Sequence, residues 1–187
     1  MRIFDGDAGR VAIVFPGAGY TPDRPLLHYA RSILRDAGWS GRDVWWPELP
    51  PAGSDALGTM VRDIAWRELH ADAAPAQRLV VAKSLGSLAA PLAADLQIPG
   101  IWLTPLMHNA EVVAGLERQT APTLLVGGTA DELWDGSAAR RTGHPVLEIP
   151  GANHSLEFPG DARRSVAALG DVVEAITDFV ATLDGTA

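Results

Sequence analysis

Three residues of this chain, Ser84, Asp131 and His154, are of the types and in the order that acyl transfer through a covalent intermediate uses. A serine hydroxyl is a weak nucleophile. It needs a base within hydrogen-bond reach to take its proton, and the base needs a carboxylate to fix its tautomer and stabilise its charged form. Ser84 lies in Leu79-Val80-Val81-Ala82-Lys83-Ser84-Leu85-Gly86-Ser87-Leu88. The apolar run Leu79 to Val81 reads as a short buried strand, and the small residues from Leu85 to Ala94 read as a helix starting directly after it. A serine on such a turn has its hydroxyl lifted above the sheet edge, and the N–H groups of the first helical turn point toward any oxyanion formed there. The full turn signature is G-x-S-x-G, because the backbones approach too closely for side chains; Gly86 fills the second glycine place and Ala82 stands in the first. Lys83-Ser84 also occurs in phosphate-binding P-loops, but that motif needs glycines where Gln77 and Ala82 stand. A helix-capping serine is the plainer alternative.

The partners each have a plainer reading too. His154, in Pro150-Gly151-Ala152-Asn153-His154-Ser155, follows an apolar run and could be a surface-loop histidine. Asp131 follows Gly127-Gly128-Thr129-Ala130 and could cap a helix beginning at Glu132. Glu132, Asp135 and Glu111 are rival carboxylates, Glu111 because it follows the preceding strand. Lys83 could form a buried ion pair, with Glu111 for instance, or reach solvent. Gly17-Ala18-Gly19 has part of a dinucleotide-binding fingerprint, but Pro22 occupies the third glycine place and no acidic residue ends the Val44-Trp45-Trp46 run. His28, His70, His108 and His144 are isolated from other candidate ligands. Neither a cofactor nor a metal is expected.

The elements that must hold these residues alternate along the chain. Val11 to Phe15, Val44 to Trp46, Leu79 to Val81, Ile101 to Leu103, Thr123 to Val126 and Val146 to Ile149 read as strands. Helical spacing relates Leu26, Ala30, Ile33, Leu34 and Ala37, with Asp23 as the cap; a second helix carries Leu57, Met60, Val61 and Ile64, and a third Val166 to Leu183. Pro91, about two turns into the helix after Ser84, should bend it or shorten its regular part. Strand–helix alternation implies right-handed crossovers and an α/β fold, with a mostly parallel central sheet covered on both faces as a three-layer α/β/α sandwich. In such sheets ligands bind at the strands' carboxyl ends. Those ends carry Gly17-Ala18-Gly19, Ser84, Thr104 to Asn109, Asp131 and His154.

On these segments the sequence resembles the small, cap-less bacterial members of the α/β-hydrolase fold, whose turns read like Lys-Ser-Leu-Gly, Gly-Gly-Thr-Ala-Asp and Asn-His-Ser-Leu-Glu. The likeness runs from about Val11 to Leu183 and leaves no room for a large lid. It implies Ser84 as nucleophile, His154 as general base and then acid, and Asp131 as its orienting carboxylate. It also implies one oxyanion donor at the Leu85 N–H. A second is expected at Ala18, with Gly19 or Tyr20 next in line, because Pro16-Gly17 stands where many relatives have His-Gly. Leu106, Met107, His108 and Trp134 are expected to line an acyl or alcohol pocket, with Lys83 beside the nucleophile. The implied activity is a carboxylesterase-like or thioesterase-like serine hydrolase taking a small-molecule acyl substrate. The rival is a non-catalytic binding module for a small ligand or a protein partner. Without a lid, a shallow site suited to short or exposed acyl groups is expected.

Composition sets the outer bounds. The 187 residues suit a single domain over 1–187. A hydrophobic share of 47% with 20% charged residues is that of a globular protein, and no segment approaches a membrane span. The first residues lack a signal-peptide core, so the cytoplasm is the expected location. Zero cysteines exclude thiol catalysis, and a net charge of −8 without basic runs argues against nucleic acid as a partner. The six tryptophans are expected in packing roles; one left exposed among Trp39, Trp45, Trp46 and Trp66 would hint at an interface, and the oligomeric state is not legible.

Overall fold

The computed structural model describes residues 2–71 and 76–184. The elements run β1 (Arg2–Phe4), β2 (Asp7–Phe15), α1 (Pro25–Asp36), β3 (Trp39–Asp43), α2 (Asp55–Leu69) and β4 (Gln77–Lys83). A 3-10 turn (Ser84–Ala89) leads into α3 (Ala90–Asp95), then β5 (Gly100–Leu103), α4 (Ala110–Arg118), β6 (Thr123–Gly128), α5 (Gly136–Arg141), β7 (Val146–Ile149) and α6 (Ala162–Asp184). The strands form one sheet in the order β1-β3-β2-β4-β5-β6-β7. The six strands β2 to β7 are parallel, and β1 adds an antiparallel edge against β3.

Both sheet faces are buried because successive strand residues point to opposite sides and the inner strands are apolar throughout. Leu79 and Val81 of β4 pack with Ala12, Val14 and Ile101 against α1 and α6. Val80 and Ala82 pack with Ile13, Phe15 and Trp102 against α2, the 3-10 turn, α3, α4 and α5. Each fully buried Val, Leu, Ile or Phe contributes about 1.5–3 kcal/mol, so these two layers supply most of the drive for folding. The expected three-layer α/β/α sandwich with a mostly parallel sheet is the fold of the chain.

Several local readings change. The second strand is β3, five residues earlier than Val44-Trp45-Trp46, and its sequence WSGRD is polar. Polar residues are tolerated there because they are paired. Arg31 Nη1 lies 2.5 Å from Asp43 Oδ2, and Arg42 donates to the Glu68 carbonyl at 2.7 Å. Gly41 is needed too, since a Cβ would sit 2.1 Å from the Phe4 ring of β1. Val44 still donates to the Val14 carbonyl at 2.9 Å; beyond it the chain leaves the sheet, and the Trp46 indole returns to the Pro16 carbonyl at 3.1 Å. Arg24, not Asp23, is the N-cap of α1, and Pro25 starts the helix; Asp23 instead pairs with Arg31 at 3.1 Å. The continuous helix expected from Leu85 to Ala94 is split into the 3-10 turn and α3. Pro91 falls in the first turn of α3, where its missing N–H has no bond to lose. β1 and α4 had no sequence reading. Among the described residues, no helix is long and apolar enough to cross a membrane.

Candidate active site

Ser84 sits where β4 ends and the 3-10 turn begins, with φ at +51°. A non-glycine residue in this left-handed region costs about 1–3 kcal/mol and persists only where its surroundings over-determine it. Here they do. A Cβ on Gly86 would lie 2.3 Å from the Phe15 carbonyl oxygen, so the turn is pressed against β2 and only glycine fits. Ser87 Oγ donates to the Ser84 carbonyl at 2.6 Å and accepts from the Leu106 N–H at 3.0 Å, tying the turn to the loop after β5. Ala82, in the first glycine place of the turn signature, is fully buried in the core, where its methyl group finds room.

The other two residues come from loops laced to each other. The Thr129 N–H donates to the Ile149 carbonyl at 3.1 Å and the Ala130 N–H to the Ala152 carbonyl at 3.0 Å. Asp131 starts no helix at Glu132. Its Oδ1 accepts from the Leu133 N–H at 2.9 Å in a local turn, and α5 begins later, capped by Asp135. Asn153 stiffens the histidine loop by accepting from the Ser155 and Glu157 N–H groups at 2.8 and 3.0 Å.

His154 bridges the set. Its Nδ1 is 2.7 Å from Asp131 Oδ2 and its Nε2 is 2.8 Å from Ser84 Oγ. An ionised carboxylate can only accept, so Nδ1 carries the proton and donates to Asp131, which leaves Nε2 free to accept from the serine hydroxyl. Burial alone would raise the Asp131 pKa. The hydrogen bonds from His154 and Leu133, with the charges of His154 and Lys83, outweigh it and hold the carboxyl below its ordinary value. The rival acids are elsewhere: Glu132 is exposed, Asp135 caps α5, and Glu111 pairs with Arg62 at 3.1 Å.

Lys83 is 1% exposed and does not reach Glu111, solvent or the cleft. It lies behind Ser84, donating to the His154 carbonyl at 2.9 Å with its ammonium 4.9 Å from the centre of the Tyr20 ring. Burial pushes its pKa down to about 8 from 10.5, and the Asp131 charge offsets part of that. Lys83 is therefore not on the cleft wall, where a substrate-contacting residue was expected.

A cleft of about 650 Å³ opens beside Ser84, lined by Ala18, Leu85, Leu106 and His108 among the expected residues. Met107 and Trp134 are not on its wall. Met107 is buried in the core, its N–H shared between the Pro105 and Leu133 carbonyls, and the Trp134 indole covers Gly127 and donates to Glu148 at 2.8 Å. Gly19 and Tyr20 also stand off the wall; the Tyr20 hydroxyl accepts from the Leu26 N–H at 3.1 Å. The wall residues that sequence reasoning missed include Leu57, Leu88, Leu133, Arg62 and Glu111. Leu57 was legible only as a helix face, and nothing in sequence links Arg62 to Glu111. Among the described residues, no group of three or more His, Asp or Glu side chains could hold a metal ion. Trp39 and Trp102 are core residues, whereas Trp66 is 59% exposed and Trp45 is 41% exposed.

Neither a family model nor a curated protein sequence matches this chain. Solved structures do. A serine hydrolase without a lid from Xanthomonas campestris aligns over 97% of this chain and 87% of its own, with a TM-score of 0.68 at 18% identity. An α/β serine hydrolase homologue from Coxiella burnetii covers 92% and 89%, with a TM-score of 0.67 at 19% identity. Est1E from Butyrivibrio proteoclasticus, solved with ferulic acid bound, covers 97% and 93%, with a TM-score of 0.70 at 15% identity.

Proposed function

Because the chain has the α/β-hydrolase fold in its small, lid-less form, we propose that it is a serine hydrolase that cleaves an ester or related acyl bond of a small-molecule substrate. One observation carries this reading: His154 lies within hydrogen-bond distance of both Ser84 Oγ, at 2.8 Å, and Asp131 Oδ2, at 2.7 Å, and Ser84 lines an open cleft.

In this reading Ser84 Oγ attacks the acyl carbon as its proton passes to His154 Nε2, and Asp131 stabilises the imidazolium that results. The oxyanion meets the Leu85 N–H at the start of the 3-10 turn and the Ala18 N–H across the cleft; Gly17 is not the second donor, since its N–H is held by the Tyr20 carbonyl at 3.1 Å. Such a donor is worth about 3–4 kcal/mol in comparable sites. His154 then protonates the leaving group. Water, deprotonated by the same nitrogen, attacks the acyl-enzyme and releases the acid with Ser84 restored. Leu57, Leu85, Leu88, Leu106 and Leu133 offer the acyl group an apolar bed.

The test is hydrolysis of short p-nitrophenyl esters and labelling by a fluorophosphonate, for wild type, Ser84→Ala and His154→Ala, with folding checked by circular dichroism. Turnover should fall by at least about 1,000-fold in both variants. Labelling should vanish in Ser84→Ala. A wild type that neither turns over nor labels would sink the proposal and favour a binding module.

A further inference from the structure

Arg62 is a wall shared by two cavities. It lines the cleft beside Ser84 and also a second cavity of about 300 Å³ between α2 and α3, and Leu88 is the one other residue common to both. From α2 the guanidinium lies across Gly58, with Nη1 3.3 Å from where a Cβ would stand, and reaches α4 to meet Glu111 Oε2 at 3.1 Å. The far side is lined by the apolar Ala65, Trp66, Pro91 and Leu92, with Asp63 and Asp95 beside them, the latter paired with Arg118 at 2.8 Å. The wall itself is a single side chain held by an ion pair whose members are 48% and 66% exposed. An exposed pair of that kind is weak, so the partition depends on the bulk of Arg62 rather than on a rigid element.

We propose that Arg62, tethered by Glu111, is the specificity-determining end wall of the acyl site. An acyl chain attached at Ser84 runs over Leu85 and Leu88 toward α2 and stops at the guanidinium, which confines the enzyme to short acyl groups. Removing the side chain joins the two cavities and lets the chain continue over Leu88 to Trp66 and Leu92. This rests on the acyl-site reading above and adds to it which residue sets the chain length. Charge acts in the same direction, since an alkyl chain extended against Arg62 would have to desolvate the guanidinium without replacing its hydrogen bonds.

The experiment measures kcat/KM on p-nitrophenyl esters of four to twelve carbons for wild type, Arg62→Ala, Glu111→Ala and Arg62→Ala/Leu92→Trp. Wild type should favour the short end. Arg62→Ala should gain about fourfold for each added methylene beyond that length, Glu111→Ala should shift part of the way, and the tryptophan filling the second cavity should cancel the gain. Arg62 is exposed on a helix, so its loss does not threaten folding. In parallel, neutral methyl ketones of the same lengths are titrated calorimetrically into Ser84→Ala and Ser84→Ala/Arg62→Ala. This arm needs no turnover: a chain-length gain in affinity confined to the second protein supports the wall even if the wild type proves inactive. The same length profile with and without Arg62, a gain that survives Leu92→Trp, or no ketone affinity at any length would overturn it.

Discussion

Replacing Lys83 by methionine should alter the pH dependence of stability more than stability at neutral pH. Methionine keeps an unbranched stem in the buried channel and removes the ammonium. In the folded chain Lys83 has a pKa of about 8 against an ordinary 10.5. At 1.36 kcal/mol per pKa unit, holding this charge in the fold at pH 7 costs about 3 kcal/mol. Between the two values the unfolded chain binds more protons than the folded one, so stability of the wild type rises with pH across that window. The variant has no such group. It instead leaves the half-buried His154 carbonyl without the charged donor it now has at 2.9 Å, a loss of about 1.5–3 kcal/mol for a hydrogen bond to a charged group. At pH 7 the two effects nearly cancel. By pH 9.5 about 2 kcal/mol of the charge penalty has gone from the wild type, and the variant should be the less stable by about that much more than at pH 7. Urea unfolding followed by tryptophan fluorescence at both pH values reads the difference, with equal m-values required. Parallel stability curves from pH 7 to 9.5 would refute a buried, charged Lys83.

Asp131→Asn should leave the loop in place but offer His154 a donor where it needs an acceptor, lowering kcat by about 10,000-fold with little change in KM; steady-state kinetics on the ester substrate checks this. The wild type should also lose stability as pH falls below the ordinary carboxylate range, because Asp131 titrates there from a depressed folded value, and the variant should lack that component in acid-unfolding curves. Gly86→Ala forces a Cβ to within 2.3 Å of the Phe15 carbonyl unless the turn moves. It should cost about 1–3 kcal/mol in urea unfolding and abolish fluorophosphonate labelling by shifting Ser84.

The sequence alone determined the α/β class and the alternation of elements, and it singled out three residues, Ser84, Asp131 and His154, that the fold brings within hydrogen-bond reach of one another. The physical reason is that these features are local: an apolar run bounded by Gly or Pro reads as a buried strand, and a chemically competent residue just after such a run lies at the sheet's carboxyl edge whatever else surrounds it. It misplaced β3 because the polarity of Arg42 and Asp43 is cancelled by Glu68 and Arg31 on two different helices, and Ser40 Oγ donates to the Asp7 and Arg10 carbonyls. Pairing across the core has no local signature. The same holds for Lys83, next to Ser84 in sequence, whose ammonium points inward to a carbonyl 71 residues away. It holds for Met107 and Trp134, which adjoin the cleft in sequence order yet turn into the core or across Gly127. The proposed end wall of the acyl site would be a matter of tertiary structure alone: Arg62 and Glu111 are 49 positions apart, and they meet because α2 and α4 both pack on the 3-10 turn.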